Sequence, residues 1–488
     1  MSATLLFSFV IGYFLVLLFV AWYTSRNSNN DSFFIGNRNS NWMLVAFGMI
    51  GTSLSGVTFV SVPGAVANES WAYFQITIGY LIGYVVIAYV LLPLYYKLNL
   101  TSIYNYLSGR LGVLSYKTGA SFFILSRTLG ATARLYLVVK ILQDSLPENV
   151  NIPFWVTTLI ILGMILLYTY EGGVKTIVYT DTLQTTCMLA GLVICVVYIL
   201  GQMDMSFADS LSAMNERGYS KIFFTDPASK FFFLKQILAG AFITITMTGM
   251  DQEMMQKNIS VKTLKGAQKN VLTLGVILMG VLLLFLFLGG VLLLYAQQQG
   301  ITATGDKLFP EIALKHMPPF VSVIFIIALI SALFPSADGA ITALTSSFCI
   351  DIIGMQRNKQ MEDADKKKLR QRVHLTFAFL FFILVMVYKW INEPSMIGVI
   401  LKVAAYTYGP LLGLFTFGIL TKRQVNDKLV PFVCVAAPII CFFIDKFQKQ
   451  IFGSFEVGLE LLIINGLLTF IGLMLVSKSN RHQAAMAE

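Results

Sequence analysis

Charge is scarce in this chain. Asp, Glu, Lys and Arg make up 12% of its 488 residues against 56% hydrophobic, which is too apolar for a soluble globular protein. Histidine is scarcer still: His316 lies beside a loop, His374 at the edge of an apolar run and His482 in the tail. A His-based catalytic centre is therefore not expected. Cys187, Cys195, Cys349, Cys434 and Cys441 all fall in apolar runs without metal-ligand spacing. They read as buried thiols and leave the compartment open. No cluster of nucleophile, base and metal ligands stands at an aqueous edge, so an enzyme is not expected. A sensor is not expected either, because no signalling domain follows the last apolar run. The first apolar run lacks a basic flank before it and a small-residue cleavage site after it, so it reads as a retained helix rather than a signal peptide.

What the chain does have is long apolar runs. Thr4–Thr24, Asn39–Asn68, Ser70–Tyr96 and Asn149–Tyr170 are free or nearly free of charge, and a bilayer span needs about 20 such residues. The expectation is an all-α integral membrane protein of about thirteen transmembrane helices, near 4–24, 42–65, 72–96, 118–143, 152–170, 177–201, 231–250, 271–297, 319–350, 373–391, 396–420, 429–445 and 455–477. Residues 354–372 carry Arg357, Lys359, Lys366, Lys367, Lys368, Arg370 and Arg372, and the 251–270 loop adds Lys257, Lys262, Lys265 and Lys269. The short segments 66–71 and 144–151 carry Glu69, Asp144 and Glu148 but no base. That asymmetry places the basic loops inside, the N-terminus outside and the C-terminus in the cytoplasm. The short loops suggest a bacterial inner membrane. Each basic run adjoins a span, so the net charge of +10 speaks for topology and not for nucleic acid. The longest connections, 202–229 and 298–318, read as outward loops.

Two spans look interrupted. One holds Gly48-Met-Ile-Gly-Thr-Ser-Leu-Ser-Gly-Val-Thr-Phe-Val-Ser-Val-Pro63, and the other ends Gly240-Ala-Phe-Ile-Thr-Ile-Thr-Met-Thr-Gly249. Interrupted helices at matching positions of two halves point to an inverted-repeat carrier with its site at mid-membrane; ordinary Pro/Gly kinks are the plainer reading. Asp338 lies in the middle of another span, among Ser336, Thr342 and Thr345. A carboxylate at that depth is expensive and marks a site, here a cation site, although small and hydroxyl residues also serve helix contacts.

The run Tyr168-Thr-Tyr-Glu-Gly-Gly-Val-Lys-Thr-Ile-Val-Tyr-Thr-Asp-Thr-Leu-Gln184, with Gly172-Gly173, Thr180-Asp181 and Gln184, resembles the signature of the sodium/solute symporter family. Thr101-Ser102 with Tyr104 and Tyr106, and Tyr408-Gly-Pro-Leu-Leu-Gly-Leu-Phe415, extend the resemblance over nearly the whole chain. It implies a LeuT-type fold of two inverted five-helix repeats, about 42–201 and 231–420, with an extra helix at 4–24 and more at 429–477, all in one membrane domain. It also implies a sodium site made of the Gly51 and Leu54 carbonyls, the Ala332 carbonyl and hydroxyls at 335 and 336. Ser336 is present, but Pro335 supplies no hydroxyl and frees a carbonyl one turn back. A second sodium site of some members would fall on Asp181, Asp338 and Gly339. Two neighbouring carboxylates there hold either Na⁺ or a proton, and the surrounding oxygens favour Na⁺, as one or two ions.

For the solute, Thr52, Ser53, Ser55 and Thr58 offer hydroxyls at the first break, Phe59 and Phe74 offer stacking walls, and Gln75 and Thr77 come from the next span. Arg127 and Arg134 stand seven apart on one helix face and suit a carboxylate; pairing with a structural carboxylate is the other reading, and Arg127 is the favoured ligand of the two. The second span is similar to that of sialic-acid carriers of the family, whose carboxylate-holding arginine aligns with Gly130. Lys402 is expected to pair or snorkel, Glu253 and Lys257 to form a solvated i,i+4 pair, and Gln252 and Gln256 to be structural. The chain is thus expected to be a monomeric Na⁺-coupled symporter of a small polar solute, a carboxylate-bearing sugar such as sialic acid or another organic anion being favoured. Proton-coupled uptake of a neutral sugar or amino acid is the alternative.

Overall fold

The computed structural model describes residues 3–25, 33–34, 36–145, 152–358, 360–391 and 396–478. Glu148, Lys359 and His482 lie outside them. Helices dominate because a lipid-facing backbone must bond to itself. The thirteen apolar runs fall largely on helix. Among the described residues, seven helices are long and apolar enough to cross a bilayer, or ten if each of three bent pairs is one span. Ser8–Thr24, Phe154–Tyr170 and Leu461–Leu475 are shorter apolar helices. Among the described residues, strand pairing is limited to one short antiparallel pair, Gln424–Val425 with Ser477–Lys478, and two isolated bridges.

In chain order, α1 is Ala3–Ser25, α2 Trp42–Ser53, α3 Gly56–Glu69, α4 Tyr73–Val86, α5 Val113–Asp144 and α6 Phe154–Gln202. Gly173 kinks α6 with φ 54° and ψ −148°; only glycine fits there, since a side chain would strain the backbone and collide with Phe33. Next come the capped helix α7, Phe207–Glu216, then α8 Phe233–Thr244, α9 Gln252–Ile259 and α10 Leu264–Gln299. The rest are α11 Pro319–Ser347, α12 Asp363–Ile391, α13 Met396–Thr407, α14 Gly409–Leu420, α15 Val430–Phe452 and α16 Leu461–Leu475.

Both expected interruptions are present. Helices α2 and α3 meet at 56°, and α8 with its extension to Gly249 meets α9 at 66°. A third bent pair, α13 with α14 at 43°, was not expected; its signal is Gly409-Pro410, since Pro cannot continue a helix across its own turn. The small residues at the α2–α3 break let it lie against α11: a side chain at Gly56 would touch the Leu329 carbonyl and the Leu333 amide. Helix α11 is the most enclosed of the long helices, touching α2, α3, α5, α6, α9 and α12.

Residues 251–270 are not simply an inward loop. Their first part is α9, and every residue of α9 is buried. The 202–229 and 298–318 connections also carry helix, at Phe207–Glu216 and in the Leu308–His316 stretch.

Candidate functional site

The α2–α3 break brings Gly51 against α6 and α11. The Gly51 N–H donates to Thr185 Oγ1 at 3.1 Å, and Pro335 would be the next neighbour of any side chain at Gly51. Ala332 and Ser336 are buried on the facing stretch of α11, and the Ser336 hydroxyl donates to the Leu333 carbonyl at 2.8 Å. Gly51, Leu54, Ala332 and Ser336 are thus on two helices in contact, one broken and one carrying an internal proline. Both features free carbonyls that a helix interior would otherwise use. A donor set of carbonyls and hydroxyls suits a hard monovalent cation.

Asp181 and Asp338 each find a different partner. Lys257 Nζ lies 2.7 Å from Asp181 Oδ2 and 2.6 Å from Thr52 Oγ1, and Thr52 itself donates to Asp181 at 3.2 Å. Asp338 accepts from Tyr168 Oη at 2.7 Å and from the Gly339 N–H. At Asp181, where a Na⁺ shared with Asp338 is expected from the sequence, the structure places the Lys257 ammonium. The expected solvated pair of Glu253 and Lys257 is instead buried, at 1% and 3% exposure and 3.9 Å apart. Helix α9 lies inside the protein, so what reads as a basic loop residue delivers its charge to the interior.

Glu253 is bonded by Arg127 Nη2, and Arg127 Nη1 lies 3.9 Å from Asp251. Asp251 caps α9 through Glu253 N and Met254 N and accepts from Tyr408 Oη at 2.6 Å. Among the described residues, Asp181, Asp251 and Glu253 pair with Arg127 and Lys257, and Asp338 has no ion pair. A buried network short of positive charge is balanced by a proton or by a cation.

Above the break lies a cavity of about 100 Å³ lined by Thr52, Ser53, Ser55, Thr58, Arg127 and Arg134, with Tyr73, Tyr80 and Tyr84 of α4 opposite. It is smaller than the roughly 300 Å³ of a small ligand pocket, so a sugar-sized solute requires it to widen. The two arginines differ. Arg127 is held by carboxylates, which makes it chiefly structural, whereas Arg134 is half-buried and has no hydrogen bond or ion pair among the described residues. Between them, a Cβ added at Gly130 would meet nothing within 4 Å among the described residues.

Other expected contacts fall elsewhere. Phe74, Gln75 and Thr77 do not line the cavity. The Gln75 amide bonds Phe231 O at 3.1 Å and Phe224 N at 3.2 Å, tying down a loop, and the Thr77 hydroxyl returns to Tyr73 O. Phe59 is no stacking wall; it packs against Phe285, Phe309 and Phe325. Lys402 pairs with Asp445 at 2.8 Å. Gln252 and Gln256 are structural as expected, the first bonding Thr101 and Ile103, the second Phe34 and Ser346. The residues that sequence reasoning missed are Thr185, Tyr168, Lys257 and the three tyrosines of α4. Of these, Lys257 had a signal: it follows a hydroxyl-rich break closely enough to share its depth.

Comparison with known proteins agrees with this geometry. The family described as the sodium:solute symporter family matches residues 33–428. The sodium/sialic acid symporter SiaT of Proteus mirabilis is 24% identical over 88% of this chain and 87% of its own length. The sodium-coupled monocarboxylate transporter 1 of Mus musculus is 24% identical over 86% and 68%. Among solved structures, a Na⁺-coupled sialic acid symporter in its substrate-bound outward-open state aligns with TM-score 0.83 at 20% identity, covering 97% of this chain and 98% of that one. A nucleobase-cation-symport-1 family transporter aligns at 0.59 and 12% identity, covering 92% and 95%. These alignments show the fold.

Proposed function

The chain belongs to the sodium:solute symporter family, and from that premise we propose that it carries a small carboxylate-bearing solute, of the sialic-acid or a similar organic-anion class, across the membrane with Na⁺. The observation that supports the solute class is Arg134, a guanidinium lining the cavity with no hydrogen bond or ion pair among the described residues. A planar guanidinium suits bidentate carboxylate binding, while Thr52, Ser53, Ser55 and Thr58 serve hydroxyls of the same solute. Relatives named for sialic acid match over most of both chains.

The protein is a multi-pass membrane transporter and not an enzyme. In this reading thirteen spans form one domain, with inverted repeats at about 42–201 and 231–420 flanked by helices at 4–24 and 429–477. The N-terminus lies outside, the C-terminus in the cytoplasm of an inner membrane, and the chain works as a monomer. Na⁺ is held by the Gly51, Leu54 and Ala332 carbonyls and the Ser336 hydroxyl, and Asp181 and Asp338 belong to the charged surround. Each Na⁺ entering down a potential of about 100 mV contributes about 2.3 kcal/mol. The ion favours the outward-open state, solute binding closes it, and inward opening loosens the ion's ligands.

Uptake of labelled sialic acid, a short monocarboxylate and a neutral hexose into proteoliposomes, with NaCl or choline chloride outside, tests this. Sodium-dependent uptake of a carboxylate solute is expected. Preferential uptake of the neutral sugar, or uptake indifferent to choline, would overturn it.

A further inference from the structure

We propose that the Lys257 ammonium is the resident cation of the Asp181–Thr52 position, so that this position takes no Na⁺ and the carrier binds a single Na⁺, between Gly51/Leu54 and Ala332/Ser336. The proposal deepens the sodium-coupled reading and rests on it for the remaining ion.

Asp181 and Thr52 present two oxygens to one point, and Nζ sits at that point at 2.7 and 2.6 Å. The head is 3% exposed and its third direction leads toward Glu253 Oε1 at 3.9 Å. A metal ion at the same carboxylate would stand beside a fixed positive charge in a low dielectric, where like charges repel strongly. The lysine is also not free to swing out. Its helix is pinned at the start by the Asp251 cap. Along its length it is held by Gln252 on Thr101 and Ile103, by Gln256 on Ser346, and by Tyr96 Oη on the Asn258 carbonyl. Asp181 Oδ1 has no hydrogen-bond partner among the described residues, so the pocket retains an oxygen that a second ligand could use once the ammonium is gone. Asp338 makes no hydrogen bond or ion pair with Lys257 among the described residues; its oxygens accept from Tyr168 and the Gly339 N–H.

The test counts bound ²²Na⁺ per chain on the purified full-length protein, without solute, in wild type, Lys257→Met, and Lys257→Met with Asp181→Asn. One ion in the wild type, two in Lys257→Met and one in the double variant are expected. A wild type that binds none and a Lys257→Met protein that binds one would uphold the lysine's role and overturn the Gly51–Ser336 ion. Two ions in the wild type would overturn the proposal, as would a folded Lys257→Met protein with no added ion. Should the single variant fail to fold, the double variant decides: it lacks both buried charges, and a count one below the wild type would show that Asp181 was an ion ligand all along, which also overturns the proposal.

Discussion

The carboxylate of Glu253 occupies the space beside Gly339 that any side chain there would need. The glycine at 339 and the buried acid on α9 are therefore one arrangement: the acid fills the space a side chain there would need, at a position that the family resemblance assigns to a second sodium site. Lys257 lies one turn along the same helix face, with its ammonium on Asp181.

Gly339→Ser should displace Glu253 from Arg127. A buried ion pair that loses one partner costs about 3–5 kcal/mol, and a partial displacement costs less. Thermal unfolding of the purified variant in detergent should fall, and Gly339→Ser with Glu253→Gln should recover part of the loss.

The two arginines should separate by readout. Arg127→Met takes the bonded partner from buried Glu253 and leaves it only Lys257, 3.9 Å away, so its main effect is on stability, by up to about 3–5 kcal/mol. Arg134→Ala removes a group with no hydrogen bond or ion pair among the described residues, so stability should hold while KM for a carboxylate solute rises by roughly 10- to 100-fold, the worth of one charged hydrogen-bonding contact of about 1.5–3 kcal/mol. Equal melting losses in the two variants would contradict the assignment.

Gly130→Arg in the Arg134→Ala background should restore part of the uptake. Nothing lies within 4 Å of the position a Cβ would take, and the new guanidinium would start one turn from the lost one. Uptake assays at fixed Na⁺ measure it directly.

Pro335 and Ser336 should move Na⁺ affinity in opposite directions. Ser336→Ala removes a hydroxyl ligand and should raise the half-saturating Na⁺ concentration by roughly 5- to 10-fold, for a hydrogen-bond-sized loss of about 1 kcal/mol. Pro335→Ser adds a hydroxyl next to Gly51 and should lower it. Sodium titrations of uptake with choline as the balancing cation read both.

The broken helices were legible in the sequence because glycine, proline and hydroxyl residues crowd where a membrane helix would otherwise be Leu, Ile and Val. Gly51, Ser336 and the hydroxyls at 52–58 followed from that crowding and from the family resemblance. Lys257 was not legible as a partner of Asp181, 76 positions away. Its neighbours Lys262, Lys265 and Lys269 made it look like one more loop base, and only the burial of α9 separates it from them. Gln75 failed for a related reason: an amide at a helix start looks like a site donor, but the nearby loop used both ends of it. Arg127 and Arg134 share a helix face, so spacing could not tell which one the acids of α9 would claim.

The hydroxyl of Tyr408 stands at the corner between α13 and α14, and it bonds Asp251 at the corner between α8 and α9. Two elbows of the molecule are thereby bolted to one another. Straightening either elbow alone strains or breaks that hydrogen bond.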